Sequence, residues 1–218
     1  MWKVFDVSLM FEGRLCGSVP LSKELIRPWL ESRMPNTKPD DARPIDEIEE
    51  EVIATIQETE ERTTLGFQQD ENGLYVRAGT IKAHIKDCAN QVKDVLKIKA
   101  LRSKVANKVF IEPDPVYILR ANGEHIKDVD GEFERAVHVM TAQGPRNALK
   151  RIRYIEQPIL RFTVRLLEDK EVTPDVLFDI FKYGAVHGYG GERGMGEGRY
   201  SYSFNSEEVE NDGDTKTG

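Results

Sequence analysis

The stretch Pro158–Asp169, PILRFTVRLLED, limits this chain more than any other. Leu160, Phe162, Val164 and Leu166 fall on one side, and Arg161, Thr163 and Arg165 on the other. Strict alternation of this kind is a β-strand with one face in a core and one face open. Such a strand needs a neighbour and a cover. The N-terminal KVFDVSLMF supplies a neighbour: Phe5, Val7, Leu9 and Phe11 share one face, and Val4, Asp6, Ser8 and Met10 share the other.

Two helices supply the cover. In TIKAHIKDCANQVKDVLKI, Thr80 is placed as N-cap, and Ile81, Ile85, Cys88, Ala89, Val92, Val95 and Leu96 form an apolar stripe. In VTPDVLFDIFKYGAVHG, Thr173 stands at the N-cap, Pro174 at the first helical position and Asp175 in the first turn. Val176, Leu177, Ile180 and Phe181 form its core face. A last alternating segment, RYSYSF, reads as a strand.

Between these lie shorter signals. Asn72-Gly73 and Asn122-Gly123 mark turns, the second inside a hairpin. RAVHVMTAQGPRNALKRIRYIEQ reads as a short strand, a Gly-Pro break and a basic stretch. Upstream, Ser22 caps a short helix that Pro28 breaks, and a Pro/Asp-rich loop carrying Asp40 and Asp41 follows. IDEIEEEVIATIQETEER then places Ile45, Ile48, Val52, Ile53 and Ile56 on one helical face, with an acidic face opposite. The order predicts an α+β, ferredoxin-like (RRM-like) antiparallel sheet with helices on one face. It spans residues 1–204 with an acidic helical insertion at about 34–72, and a disordered tail is expected over 205–218.

With 218 residues, 39% hydrophobic and 32% charged, the chain is globular. It has no apolar run of the roughly 18 residues that span a bilayer, and its start lacks the pattern of a signal peptide. The expectation is a cytoplasmic protein that does not engage a membrane. Cys16 and Cys88 are too few for a disulfide framework, and His84, His125, His138 and His187 are scattered, so no metal and no cofactor are expected.

The formal net charge of −7 argues against a nucleic-acid partner until its distribution is considered. Residues 40–62 carry −8 and the tail from Asn205 carries −4, which leaves +5 on the rest. Residues 82–108 hold eight basic and two acidic side chains. Lys82, Lys86, Lys93 and Lys97 share a face of the expected helix. Such a stripe is a solvated surface or a surface that tracks phosphates. Arg161 and Arg165 sit on the open face of their strand.

A glycine run joins the last helix to the last strand, GYGGERGMGEGR, and Gly184 lies upstream. Glycines admit positive φ and bring backbone N–H groups close to an anion. No Walker sequence occurs, and a dinucleotide site places its glycines after a strand and before a helix, the reverse of this order. The run is therefore a phosphate cradle or a tight structural connection.

YGAVHGYGGERGMGEGRYSYSF resembles the glycine-rich loop of the RAMP superfamily, the RNA-binding proteins of CRISPR effector complexes. Gly188, Gly190, Gly191, Arg193, Gly194, Gly196, Gly198 and Arg199 occupy that pattern. VRAGTIKAHIKDCANQV is similar to the turn and helix of the backbone-type members, although Ala83-His84 stands where a glycine is common. NALKRIRYIEQPILRFTVRLL is similar to the segment before their long strand, with Glu156 and Phe162 matching and the usual glycine absent. The resemblance covers roughly residues 75–204. It implies a ferredoxin-like domain, CRISPR-associated and part of antiviral defence. Such a domain holds single-stranded RNA, including guide RNA, and assembles with copies of itself or related subunits.

The expected RNA contacts are Lys82, Lys86, Lys93, Lys97, Arg161, Arg165, Arg193, Arg199 and the loop glycines; single-stranded DNA is the variant partner. Processing endoribonucleases of the superfamily use a histidine, which makes His84 and His187 the catalytic candidates. The expected role is non-catalytic. The alternatives are a metal-independent endoribonuclease and an acidic protein–protein interaction module.

Overall fold

The structure, a computed structural model, describes residues 1–21, 50, 64–141 and 144–207. The short helix expected after Ser22, Asp40 and Asp41, and the tail beyond residue 207 lie outside the described residues, as does the acidic helix apart from Glu50. In chain order the strands are β1 (Trp2–Phe11), β2 (Arg14–Cys16), β3 (Val19–Pro20), β4 (Thr64–Gly66), β5 (Gln68–Asp70) and β6 (Gly73–Val76). Helices α1 (Ala78–Val92) and α2 (Leu101–Lys108) follow, then β7 (Val109–Glu112), β8 (Val116–Leu119), β9 (Gly131–Thr141), β10 (Gly144–Glu156) and β11 (Ile159–Leu167). Helix α3 (Pro174–His187) and β12 (Tyr200–Glu207) close the described chain.

The fold is α+β. The main sheet runs β12-β1-β11-β8-β6-β5, with β7 also paired to β11, and all its pairings are antiparallel. Strands β12-β1-β11-β7, with α1 between β1 and β7 and α3 between β11 and β12, have the strand order of the ferredoxin-like arrangement. The alternation read from sequence fixes which face is which. Phe5, Val7, Leu9, Phe11, Leu160, Phe162, Val164 and Leu166 are buried in one cluster with Ile81, Ile85, Leu177 and Phe181 from the helices. Phe5, Phe178 and Phe204 interlock at ring centroids 4.8–5.9 Å apart, which seats α3 on β1 and β12. Truncating a ring such as Phe181 there would cost about 3–5 kcal/mol.

A second sheet, β2-β10-β4-β3 with β9 on β10, stands beside the first. Sequence reading expected one sheet. The supposed break at Gly144-Pro145 is the start of β10, where a proline is tolerated because it need not donate to the ladder. The basic stretch after it is a strand of 13 residues paired to β9 as a long hairpin. Strands β4 and β5 fall inside the span expected to be a helical insertion. β12 runs to Glu207, so residues 205–207, placed in the tail, pair with β1.

Helix α1 also departs from expectation. Its N-cap is Arg77, not Thr80, and the Asp114 carboxylate accepts from the Ala78 N–H at 3.0 Å. At the other end Ile98 N–H donates to Lys93 C=O and Lys97 N–H to Asp94 C=O, at 3.0 and 3.3 Å. Lys97 has φ of +56°, so this is a Schellman-type stop with lysine where glycine is usual. The stop turns Val95, expected in the apolar stripe, out to 81% exposure. α3 starts as read: Thr173 Oγ1 accepts from Val176 N–H at 3.3 Å.

Candidate functional site

The glycine run has a base and a tip. At the base Gly188 has φ of +82° and Gly198 +74°, and the Tyr189 N–H donates to the Gly198 carbonyl at 2.8 Å. A Cβ on Gly188 would lie 2.5 Å from the Glu197 carbonyl oxygen, and one on Gly190 2.8 Å from that of Cys16. The amides of Gly188, Gly191 and Gly198 donate to the carbonyls of Gly184, Cys16 and Arg14 at 2.8–3.0 Å. These glycines thus close the helix-to-strand connection against β2. At the tip a single 3₁₀ turn, Arg193–Met195, is exposed, and a Cβ on Gly194 would meet nothing within 4 Å. Gly196, with φ of +84°, returns its amide to the Arg193 carbonyl at 2.9 Å.

Side chains dock this loop. Glu192, nearly buried, is paired with Arg135 of β9 and with Lys150 of β10, the latter at 2.6 Å. Burial alone would raise its carboxyl pKa, but these two cations outweigh it and hold the group below the usual carboxylate range. Glu197 pairs with Arg14, whose guanidinium lies over the rings of Phe133 and Tyr154 at 4.9 and 5.2 Å. Thr80 Oγ1 and Tyr189 Oη hydrogen-bond at 2.6 Å and tie the loop to α1.

A cleft of about 520 Å³ opens between α1 and the loop. Lys86, Arg102 and Arg193 supply its cations, Asp87 its carboxylate, and Gly79 and Gly190 bare backbone. Among the described residues neither Lys86 nor Arg102 makes an ion pair. Arg193 is committed: its Nη1 donates to His187 Nε2 at 2.9 Å and to Asp87 Oδ2 at 3.3 Å. The cleft therefore carries an excess of positive charge suited to an anion such as a phosphodiester.

Of the two candidate histidines, His84 lines the cleft and His187 accepts from Arg193 beside it. His84 and His187 stack with centroids 6.2 Å apart. His84 is buried, hydrogen-bonded through Nε2 to the Tyr200 hydroxyl at 2.9 Å, with Cys88 Sγ 3.7 Å from Nδ1. Burial, helped by the charges of Arg193 and His187, pushes its pKa down to about 3, so it is neutral at ordinary pH. His84 is thus a packed core ring that forms part of the cleft wall. No group of three or more His, Cys, Asp or Glu side chains among the described residues is placed to hold a metal ion.

The structure gathers Lys86, Gly190, Arg193 and His84 into one place and leaves the other candidates elsewhere. Lys82 lies half-buried over the Phe110 ring at 4.7 Å. Lys93 and Lys97 border a separate depression of about 410 Å³ beyond the end of α1, because the Schellman stop breaks the expected lysine face. Arg161 and Arg165 project from the open face of the main sheet, and Arg165 pairs with Glu112 at 2.9 Å. Arg199 is exposed at the loop's exit, where its carbonyl accepts from Glu12 N–H at 3.0 Å. Sequence reading did not single out Arg102, which α2 brings to the cleft, or Glu192. The signal for the first was the dense basic run over 82–108; for the second there was none.

No family model and no curated protein matches the sequence. Among solved structures, a chain of the Type III-B Cmr-beta assembly, determined by cryo-electron microscopy bound to cognate target RNA, is similar at 10% identity with a TM-score of 0.49. The match covers 94% of this chain and 60% of the other, so the chain spans less than two thirds of that protein's length. Among the described residues no helix is long and apolar enough to cross a membrane.

Proposed function

We propose that the chain is a non-catalytic, single-stranded RNA-binding subunit, similar to the backbone proteins of CRISPR effectors, that works beside further copies or related subunits. The observation that carries this reading is the cleft, where Lys86 and Arg102 stand without ion partners among the described residues next to Arg193 and the bare backbone of Gly190. A phosphodiester supplies the negative charge that these groups lack, and RNA is the partner implied by the loop's resemblance. The basic side chains outside the cleft extend the path of the strand, and guide RNA of a cytoplasmic defence complex is the cognate ligand.

The test is direct. The purified chain should bind a labelled single-stranded RNA at low salt, prefer it to single-stranded DNA of the same sequence, and co-purify with RNA. Clean protein that binds neither oligomer would overturn the proposal. A second reading, a metal-independent endoribonuclease, is favoured by His84 in the cleft wall with the His187 ring stacked against it. It requires cleavage of a hairpin RNA in chelator that disappears in His84→Ala or His187→Ala. Intact RNA after prolonged incubation would dismiss it.

A further inference from the structure

The cleft accounts for phosphates but leaves the open face of the main sheet unexplained. That face carries rings at both ends of β11. At one end Trp2 and Phe110 are 48% and 40% exposed, with centroids 5.7 Å apart, and Lys82 covers Phe110. Trp2 is paired in register with Leu167, and Phe110 with Arg165. At the other end Tyr117 and His125 stack at 4.5 Å with planes 19° apart. Tyr117 is held by its hydroxyl, which donates to Asp70 Oδ2 at 2.8 Å and accepts from Asn72 Nδ2 at 3.2 Å. Along the same face β11 presents Arg165, opposite Phe110, and Arg161, four residues and so about 13 Å apart. Arg161 makes no ion pair among the described residues, and it lies beside the Asn122-Gly123 turn that carries His125.

We infer that this face is a stacking platform for the unpaired bases of a single-stranded nucleic acid, with Trp2–Phe110 and Tyr117–His125 as its two seats and Arg161 contacting the intervening phosphate. The inference rests on the proposed RNA-binding function and adds a base-contacting surface separate from the cleft. Two properties favour bases over another protein surface. The rings are partly exposed and already in contact with neighbours, so stacking costs little ordering. A cation lies at each seat, Lys82 and Arg161, where a backbone phosphate would pass.

The experiment uses the full chain with Trp29→Phe, which leaves Trp2 as the one tryptophan. Its fluorescence is titrated with oligouridylate and, separately, with inorganic polyphosphate, which has charge but no bases. RNA should quench Trp2, and polyphosphate should not. Trp2→Ala and Tyr117→Ala should each weaken RNA binding by about tenfold while leaving polyphosphate binding unchanged. RNA that binds with no quench, and with equal affinity for the parent and both variants, would overturn the platform and leave the cleft reading intact. Failure of RNA to bind at all would overturn both. Light scattering that shows a self-associated parent and a monomeric Trp2→Ala would assign the face to a second copy and overturn the platform.

Discussion

Removing Lys86 and Arg102 together should change how RNA binding responds to salt by a calculable amount. Each phosphate neutralised on a single strand contributes about 0.7 to the slope of log affinity against log salt. Both side chains line the cleft, and neither has an ion partner among the described residues, so each is free to displace a counterion. The double variant Lys86→Ala/Arg102→Ala should therefore have a slope shallower by about 1.4. Arg193 is expected to behave differently. Its guanidinium covers Asp87, so Arg193→Ala uncovers a carboxylate in the cleft, and adding Asp87→Asn should recover part of the lost affinity. The assay is fluorescence anisotropy of a labelled oligouridylate over a salt series, with thermal melting to show that each variant is folded. Superimposable slopes for the parent and the double variant would refute the assignment of these cations to phosphates.

Three further outcomes concern the scaffold. Gly198→Ala forces a Cβ onto the Tyr189 carbonyl at a φ of +74° and should lower stability by more than about 2 kcal/mol in urea unfolding, whereas Gly194→Ala should stay within about 0.5 kcal/mol. His84 is held neutral in the folded state, so protons bind the unfolded chain more readily; its stability contribution is complete above a pH of about 6.5 and falls on acidification toward 3, with a limiting slope of about 1.4 kcal/mol per pH unit. His84→Gln should flatten that dependence, read as urea midpoints at neutral and mildly acidic pH. Glu192→Gln leaves Arg135 and Lys150 without their carboxylate and should cost about 1–2 kcal/mol near neutrality, a figure discounted for the exposure of both cations; because the Glu192 pKa is depressed, the difference from the parent should vanish as the carboxyl protonates in acid.

The elements legible in the sequence were those whose period was set by one buried face. β1, β11, β12, α1 and α3 all announce themselves through residues that the core then buries. The long hairpin was not legible past its first strand. Most of β9 and β10 pair only with each other, and the Gly144-Pro145 pair has the composition of a break. Helix α2 was hidden for another reason: of its eight residues only Leu101 and Val105 are buried. In the site, the glycines and Arg193 were visible because their spacing is unusual. The joining of Lys86 to Arg102 was not, since it depends on how α2 folds back after the left-handed residues Lys97 and Ala100. The lysine face failed where helical periodicity was carried past a stop that no glycine marked.

The two-part construction of the glycine loop sets where this chain tolerates redesign. Gly188, Gly190 and Gly198 sit where any side chain would collide with backbone, whereas the Arg193–Met195 turn stands in open solvent on a closed base. Residues grafted between Arg193 and Gly196 would alter what the cleft meets at its rim while the hydrogen bonds at the base stay in place. The loop thus offers an insertion point, a place where ligand preference could be rewritten without renegotiating the fold.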